Sequence, residues 1–501
     1  MKFIFYRKVF SNLRLLIPVN YSFFRLKRAV FVTLILSCVF INSTKSQSNL
    51  PGNSAIRLML ESPALKSAHV GIYVYDDSTK KEIADFQGDK YFVPASNTKL
   101  FSLYAGMKYL GDSIEAARYL ENDTALLIWP TGDPSLLHPD FQTQPLIDFL
   151  KKPHKKIFLV DGTWEDKPLG PGWAWDDYND DYSVERSQFP LYGNFIRWTQ
   201  QKLASRSNAS FESTASVFSS PEISWKVRFS PDSLPKTFLV QRATDSNFFS
   251  IRLGNETNST QDVPFITNNL QAAVELLPDT IGKPIYKTSM TSVQSMLMNM
   301  NQSGLVPMIV NRPISSTKGN AIAYPQVQSL YSRPADSIFT PMMYRSDNFF
   351  AEQTLLMVSN KQLARFNTEL IIDTILSRDL ADLPQKPNWV DGSGLSRYNL
   401  FSPRDFVSLL IKFKNEFGME RMKRILPTGG TGTLKNHYKQ DSGYVYVKTG
   451  SMTGVLCLSG YIYTTHKHLL EFSILVNNHN TPNGGVRREM ETYVDYLRKN
   501  F

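Results

Sequence analysis

Polar and apolar residues alternate over His69–Tyr75 and again over Glu82–Phe86, and the turn formers Asp76-Asp77-Ser78 separate the two runs. A period of two on either side of a polar turn predicts a hairpin of half-buried strands. A short helical segment, Asn53–Leu65, precedes it. After it, Leu100, Leu103, Tyr104, Met107 and Leu110 recur at helical spacing, with Pro94 barring helix upstream and Gly111 offering a stop. From about residue 122 to 300, Pro, Gly and Asn punctuate the chain at strand-and-turn intervals, which predicts mainly β structure with a short helix at Leu146–Lys151. Helical patterns return at Met290–Asn301, Asn348–Ser359 and Leu363–Arg378. The tail reads as strands Tyr444–Val447, Val455–Tyr463 and Leu469–Val476, then an amphipathic helix, Val486–Phe501. Consecutive strands with short connections pair antiparallel. The expected fold class is therefore α+β, an antiparallel sheet with helices segregated against it.

Composition changes this picture little. Of 501 residues, 42% are apolar and 20% charged, as in an ordinary globular protein of two or three domains. The net charge of +10 is misleading, because residues 1–46 hold eight basic residues and no acid. The remainder carries about +2, which gives no reason to expect nucleic-acid binding. Those basic residues precede Ala29–Ile41, an apolar run of 13, short for a membrane span and suited to a signal-peptide core. Residues 1–46 are read as a signal peptide; left uncleaved, they would anchor the protein at a membrane surface. Cleavage would remove Cys38 and leave Cys457 as the sole thiol, inside an apolar strand, where a buried hydrophobe is the expected role.

Candidate chemistry lies in three short motifs. Ser96 and Lys99 stand three apart at the start of the second helical run, so the amine can lie against the hydroxyl. Serine becomes nucleophilic only when an adjacent base removes its proton, and lysine is one such base. The chain has four Ser-x-x-Lys matches (at Ser78, Ser96, Ser233 and Ser315), and one alone is commonly a capped, solvated turn. Ser96 is singled out by its company. Ser346-Asp347-Asn348 is the only Ser-x-Asn, and Lys448-Thr449-Gly450-Ser451 contains the only Lys-Thr-Gly. Together, in this order, the three form the signature of penicillin-binding proteins and class A β-lactamases.

From about residue 50 to the end, the sequence resembles the D-Ala-D-Ala carboxypeptidases/endopeptidases among the class C low-molecular-mass penicillin-binding proteins. The separation of 250 residues between Ser96 and Ser346 favours this group, which carries a large insert. Supporting matches are Gly132-Asp133-Pro134, Pro171-Gly172-Trp173-Ala174-Trp175-Asp176-Asp177, Asp391-Gly392-Ser393-Gly394-Leu395-Ser396-Arg397 and Gly432-Thr433-Leu434. Asp347 departs from the pattern, since many members have Asn there.

The resemblance implies a penicillin-binding-protein/β-lactamase-like transpeptidase fold. Its catalytic domain would be split between residues 50–121 and 302–501, with mainly-β domains inserted over 122–301. It implies cleavage of peptidoglycan stem peptides through an acyl-enzyme on Ser96, with β-lactams as covalent inhibitors and no cofactor. Lys99 is the expected base, Ser346 the proton relay to the departing amine, and Asn348 a partner of the substrate amide. Lys448, Thr449 and Ser451 would hold the terminal carboxylate along the Gly450 strand, and the backbone N–H groups of Ser96 and Ser451 would form the oxyanion hole. Asp161 resembles a family acid that meets an amine on the stem, and Met452 is a candidate for the same subsite.

A free lysine has a pKa near ~10.4, so a base working near neutrality needs it ~3 units lower, about 4 kcal/mol. A helix N-terminus supplies only ~0.3–1 kcal/mol, or ~2 when partly buried. Desolvation and a second cation must then contribute, and Lys448 is the candidate cation. The alternatives are a β-lactamase-like hydrolase and a non-catalytic cell-wall-binding protein of the same fold. The seven histidines include no HExxH, and no Gly-x-Ser-x-Gly elbow occurs, so neither a metal hydrolase nor an α/β-hydrolase is indicated.

Overall fold

The computed structural model describes residues 50–121, 125–154, 156–203, 214–230, 237–299 and 327–501. The expected leader, the Ser233 and Ser315 motifs, and the expected boundary at 301/302 lie outside these residues.

The chain enters through helix α1 (Asn53–Leu60) and the hairpin β1 (His69–Asp76) and β2 (Lys81–Phe86). Ser78 lies in the turn of that hairpin, so its Ser-x-x-Lys match is the bland kind. A single 3-10 turn, Ala95–Thr98, then leads into α2 (Lys99–Tyr109). The chain next departs through β3 (Ser113–Glu121), β4 (Leu126–Pro130), α3 (Pro145–Leu150) and β5 (Ile157–Asp161). It continues through β6 (Phe195–Leu203), β7 (Thr214–Ser220), β8 (Val227–Phe229), β9 (Leu239–Arg242), β10 (Phe249–Arg252) and β11 (Asn258–Pro264). The excursion closes with α4 (Gln271–Ile281), β12 (Ile285–Ser289), α5 (Met290–Asn299) and β13 (Gln328–Pro334).

Helices α6 (Asp336–Tyr344), α7 (Asn348–Leu363), α8 (Thr368–Ser377), α9 (Pro403–Phe417) and α10 (Met419–Ile425) follow the return. The last elements are β14 (Val445–Met452), β15 (Val455–Tyr463), β16 (Leu469–Asn477) and α11 (Asn483–Asn500).

The two ends of the described chain build one sheet, ordered β14-β15-β16-β1-β2, with every neighbouring pair antiparallel. Both faces are covered. Along β15, Val455, Cys457 and Tyr461 join the core under α2, α7 and α9, while Leu456, Leu458 and Ile462 join the core under α1 and α11. Burial on both faces explains why Val455–Leu458 in β15 reads as a continuous apolar run rather than an alternating one.

The excursion forms two three-stranded sheets (β11-β6-β7 and β8-β10-β9) and a mixed five-stranded sheet, β12-β5-β4-β3-β13. In the mixed sheet, β4/β5 and β5/β12 are parallel, and α3 and α4 share its apolar core. The expected boundary at 121/122 differs from the pairing. β3 hydrogen-bonds to β4 and β13, so residues 113–121 and 328–334 belong to this sheet. The crossings lie at Asp112 and Ala335, whose backbones are joined by a 2.8 Å hydrogen bond.

Helix α7 is buried from Phe349 to Asn360 on every side. Gln353, Thr354 and Ser359 find protein partners for their side chains, as burial requires. Gln353, for example, donates to Gly132 O and Ser187 O and accepts from Ser187 N, which ties the excursion to the helix at the centre of the fold.

Candidate active site

Ser96 sits in the 3-10 turn and Lys99 is the first residue of α2. Ala95 holds a left-handed φ of 46°, and Thr98 Oγ1 donates to its carbonyl at 2.9 Å, which shapes the turn. Asn97 anchors it to the sheet through Ser459 Oγ at 2.8 Å. Gly450 of β14 lies directly alongside. A Cβ there would stand 2.5 Å from Pro94 O and 3.1 Å from the Ser96 nitrogen, so only glycine permits the approach.

Lys99 is fully buried, and its amine makes three contacts: Ser96 Oγ at 2.9 Å, Asn348 Oδ1 at 2.6 Å and Ser393 O at 2.8 Å. Asn348 opens α7, and its Nδ2 donates to Tyr182 O at 2.9 Å, which turns Oδ1 toward Lys99. Ser346, two residues earlier, holds a left-handed φ of 60°, and its Oγ accepts from Lys448 Nζ at 2.8 Å. Lys448 Nζ also donates to Thr449 O at 2.6 Å, and Thr449 Oγ1 donates to Thr433 Oγ1 at 2.9 Å.

Expected residues therefore converge from three segments, Ser96–Lys99, Ser346–Asn348 and Lys448–Ser451. A cleft of about 360 Å³ runs past Ser96, Ser346, Thr449, Gly450 and Ser451 to His437 and Arg487.

The electrostatics differ from the expectation in one respect. Burial is the largest cause of the low Lys99 pKa, which is brought down to about 8 against the opposing pull of Asp391, Asp347 and Glu352. Lys448 is held well below its ordinary value by burial and then by repulsion from Lys99. The mutual repulsion thus falls on Lys448, and desolvation depresses Lys99. Near neutral pH, a buried pair of this kind gives up a proton readily. A neutral amine has two N–H bonds and one lone pair. Asn348 Oδ1 and Ser393 O can only accept, so the lone pair is left for the Ser96 hydroxyl.

Two expected residues lie elsewhere. Asp161 ends β5, where its carboxylate accepts from Asn269 Nδ2 at 2.8 Å and Gln188 Nε2 at 3.1 Å, and it does not line the cleft. Met452 packs against the apolar core under the helices, as a partly buried side chain does at a strand end. Cys457 is buried, as expected of a small hydrophobe, and burial pushes its thiol far up.

Asp347 caps α7 through Phe350 N at 3.1 Å and pairs with Arg345 at 3.3 Å. In the sequence, Asp391 and Ser393 are marked only by the Asp-Gly-Ser-Gly-Leu-Ser-Arg resemblance. In the structure, Asp391 accepts from Trp173 Nε1, Gly394 N, Ser396 N and Asn399 Nδ2, and so fixes the loop that presents Ser393 O. Glu352 and Arg186, buried behind that loop, carried no motif that would have marked them.

A serine–lysine pair where a 3-10 turn runs into a helix, faced by a second serine–lysine pair and flanked by an edge strand, defines an active-site-serine peptidase of the penicillin-recognising class. The chain belongs to the D-Ala-D-Ala carboxypeptidase 3 (S13) family, whose model matches residues 53–499, and it is a serine-type D-Ala-D-Ala carboxypeptidase. It is 24% identical to the D-alanyl-D-alanine carboxypeptidase DacB of Haemophilus influenzae, over 83% of this chain and 87% of that protein. It is 23% identical to the penicillin-sensitive carboxypeptidase A of Dictyostelium discoideum, over 94% of this chain and 98% of that protein. The fold matches penicillin-binding protein 4 of Haemophilus influenzae with a TM-score of 0.66 at 20% identity, covering 89% of this chain and 99% of that one.

Proposed function

We propose that Ser96 is the nucleophile and neutral Lys99 its base in removing the terminal D-alanine from peptidoglycan stem peptides. The observation that carries this reading is the set of three contacts at Lys99 Nζ, of which only Ser96 can hand over a proton. In the first step the Ser96 proton passes to Lys99, the Ser96 Oγ–carbon bond forms, and charge collects on the carbonyl oxygen. Backbone N–H groups at Ser96 and Ser451 meet that oxygen, each such donor being worth ~10²–10³ in rate. The C–N bond then breaks, and the departing amine takes up the proton that Lys99 gained, passed through Ser346, which lies on Lys448; Lys99 is thereby neutral again for the water that follows. Water releases the shortened peptide from Ser96. Thr449 and Ser451, both lining the cleft, take the substrate carboxylate.

The same serine would be acylated by penicillin, a reading supported by the name of the Dictyostelium relative. The substrate polymer lies outside the cytoplasmic membrane. The reading therefore includes export to the periplasm or cell envelope, supported by the basic and apolar run in residues 2–41.

D-Alanine release from a stem peptide ending in D-Ala-D-Ala tests the proposal. Wild type is expected to release it and Ser96→Ala is not; equal release by both overturns the assignment. Stable labelling by a fluorescent penicillin, with slow turnover of nitrocefin, favours the peptidase over a β-lactamase.

A further inference from the structure

The loop behind Lys99 is fixed at four backbone atoms. Ser102 Oγ donates to Gly392 O at 2.6 Å, Ser393 N donates to Glu352 Oε1 at 2.7 Å, Gly394 N donates to Asp391 Oδ1 at 2.8 Å, and Ser393 O accepts from Lys99. Glu352 lies four residues after Asn348 on α7, on the same face of the helix. One helix therefore controls two of the three contacts of the amine: Asn348 directly, and Glu352 through Ser393.

Glu352 is 1% exposed, and its second oxygen lies 3.7 Å from Arg186 Nη1, at ion-pair rather than hydrogen-bond distance. Arg186, 2% exposed, is itself held by Asp166 Oδ1 at 2.9 Å and Thr368 Oγ1 at 3.1 Å. A carboxylate this deep costs several kcal/mol to bury as an ion unless it is fully paired, so its charge is poised to change. None of the acyl-transfer steps uses it.

We infer that Glu352, steadied by Arg186, is the positioning residue that sets both the place and the charge of the Lys99 amine. The inference rests on Lys99 being the base for Ser96. The charged groups facing Glu352 are Arg186, Asp391 and Lys99 itself; those facing Lys99 are Asp391, Asp347, Glu352 and Lys448. Burial and then Asp391 push Glu352 up to about 7, close to the value of about 8 for Lys99. Ionised Glu352 holds the proton on Lys99, and protonated Glu352 lets it go. The two titrations overlap and oppose each other, so the neutral amine appears over a broader pH range than one group alone would give.

The test is the single-turnover rate of acylation by a penicillin or a thioester between pH 5 and 9. In wild type, the logarithm of the rate is expected to rise with pH at a slope below one between pH 6 and 8. Glu352→Gln keeps an acceptor for Ser393 N and removes the charge. Its limb is expected about one unit lower, with unit slope and an unchanged plateau. Glu352→Ala also loses the hydrogen bond, and its plateau is expected to drop about 10²-fold. A Glu352→Gln limb that superimposes on that of wild type overturns the inference. So does unit slope in wild type, which decides the matter if neither variant folds. A wild type that is never acylated overturns the parent reading and this one with it.

Discussion

Gly450 is pressed against the backbone of Ser96, with a notional Cβ only 3.1 Å from the Ser96 nitrogen and 2.5 Å from Pro94 O. The contact holds the edge strand against the turn that carries Ser96, and these are the two segments whose N–H groups are proposed to share one oxyanion. Gly450→Ala is expected to force them apart and to lower the rate of acylation about 10²-fold, the weight of one such donor. Thermal unfolding alongside penicillin labelling checks this. A near-normal rate in a folded variant would mean that the two backbones do not act on the same oxygen.

Asn348 offers a charge test with a known sign. Asn348→Asp puts a carboxylate against Lys99 Nζ, where Oδ1 now lies at 2.6 Å, and an adjacent negative charge stabilises the ammonium. The Lys99 pKa should rise above its present value of about 8, so the acid limb of acylation moves to higher pH by one unit or more. A limb that stays in place or moves lower would exclude Lys99 as the titrating base.

Ser346, lying on Lys448, is read as the path by which the leaving amine gains its proton. A thioester's leaving group departs without one. Ser346→Ala should therefore lose at least 10²-fold on a D-Ala-D-Ala peptide and less than tenfold on a thioester analogue of it. Equal losses on both substrates would assign Ser346 to binding instead.

Asp391 accepts four hydrogen bonds at 0% exposure. Asp391→Ala leaves these four donors unpaired at ~1–3 kcal/mol each, so a loss of ~4 kcal/mol or more in stability is expected by denaturant unfolding. A change under 1 kcal/mol would mean that the loop finds other partners.

The legible part of this fold was the part written in local spacing. Ser96 and Lys99 are three apart, and the first half of β15, Val455–Leu458, buried on both faces, is visible as an apolar run. The expected strand Tyr444–Val447 in fact runs on through Met452, because the Lys-Thr-Gly residues pair with β15, and an edge strand's partners cannot be read from its own residues. Helix α9 was missed although Ser402 and Asp405 form a capping box in front of its apolar face.

The parallel pairs β4/β5 and β5/β12 joined segments too far apart in sequence for a turn signal to announce them. Glu352 was hidden for another reason. An acid inside an apolar helix reads as a solvent face, and only the arrival of Arg186 and Ser393 from distant segments makes it part of the site.

Acylation is proposed to begin when a neutral Lys99 takes the proton from Ser96. The most direct measurement is the mass of penicillin-treated protein and of its proteolytic peptides, for wild type and Lys99→Ala, from pH 5 to 9. The account expects one adduct on the peptide bearing Ser96, forming faster as pH rises toward 8 and levelling above it, and no adduct in Lys99→Ala. Acylation of Lys99→Ala at the wild-type rate, or an adduct carried by any other residue, would contradict it.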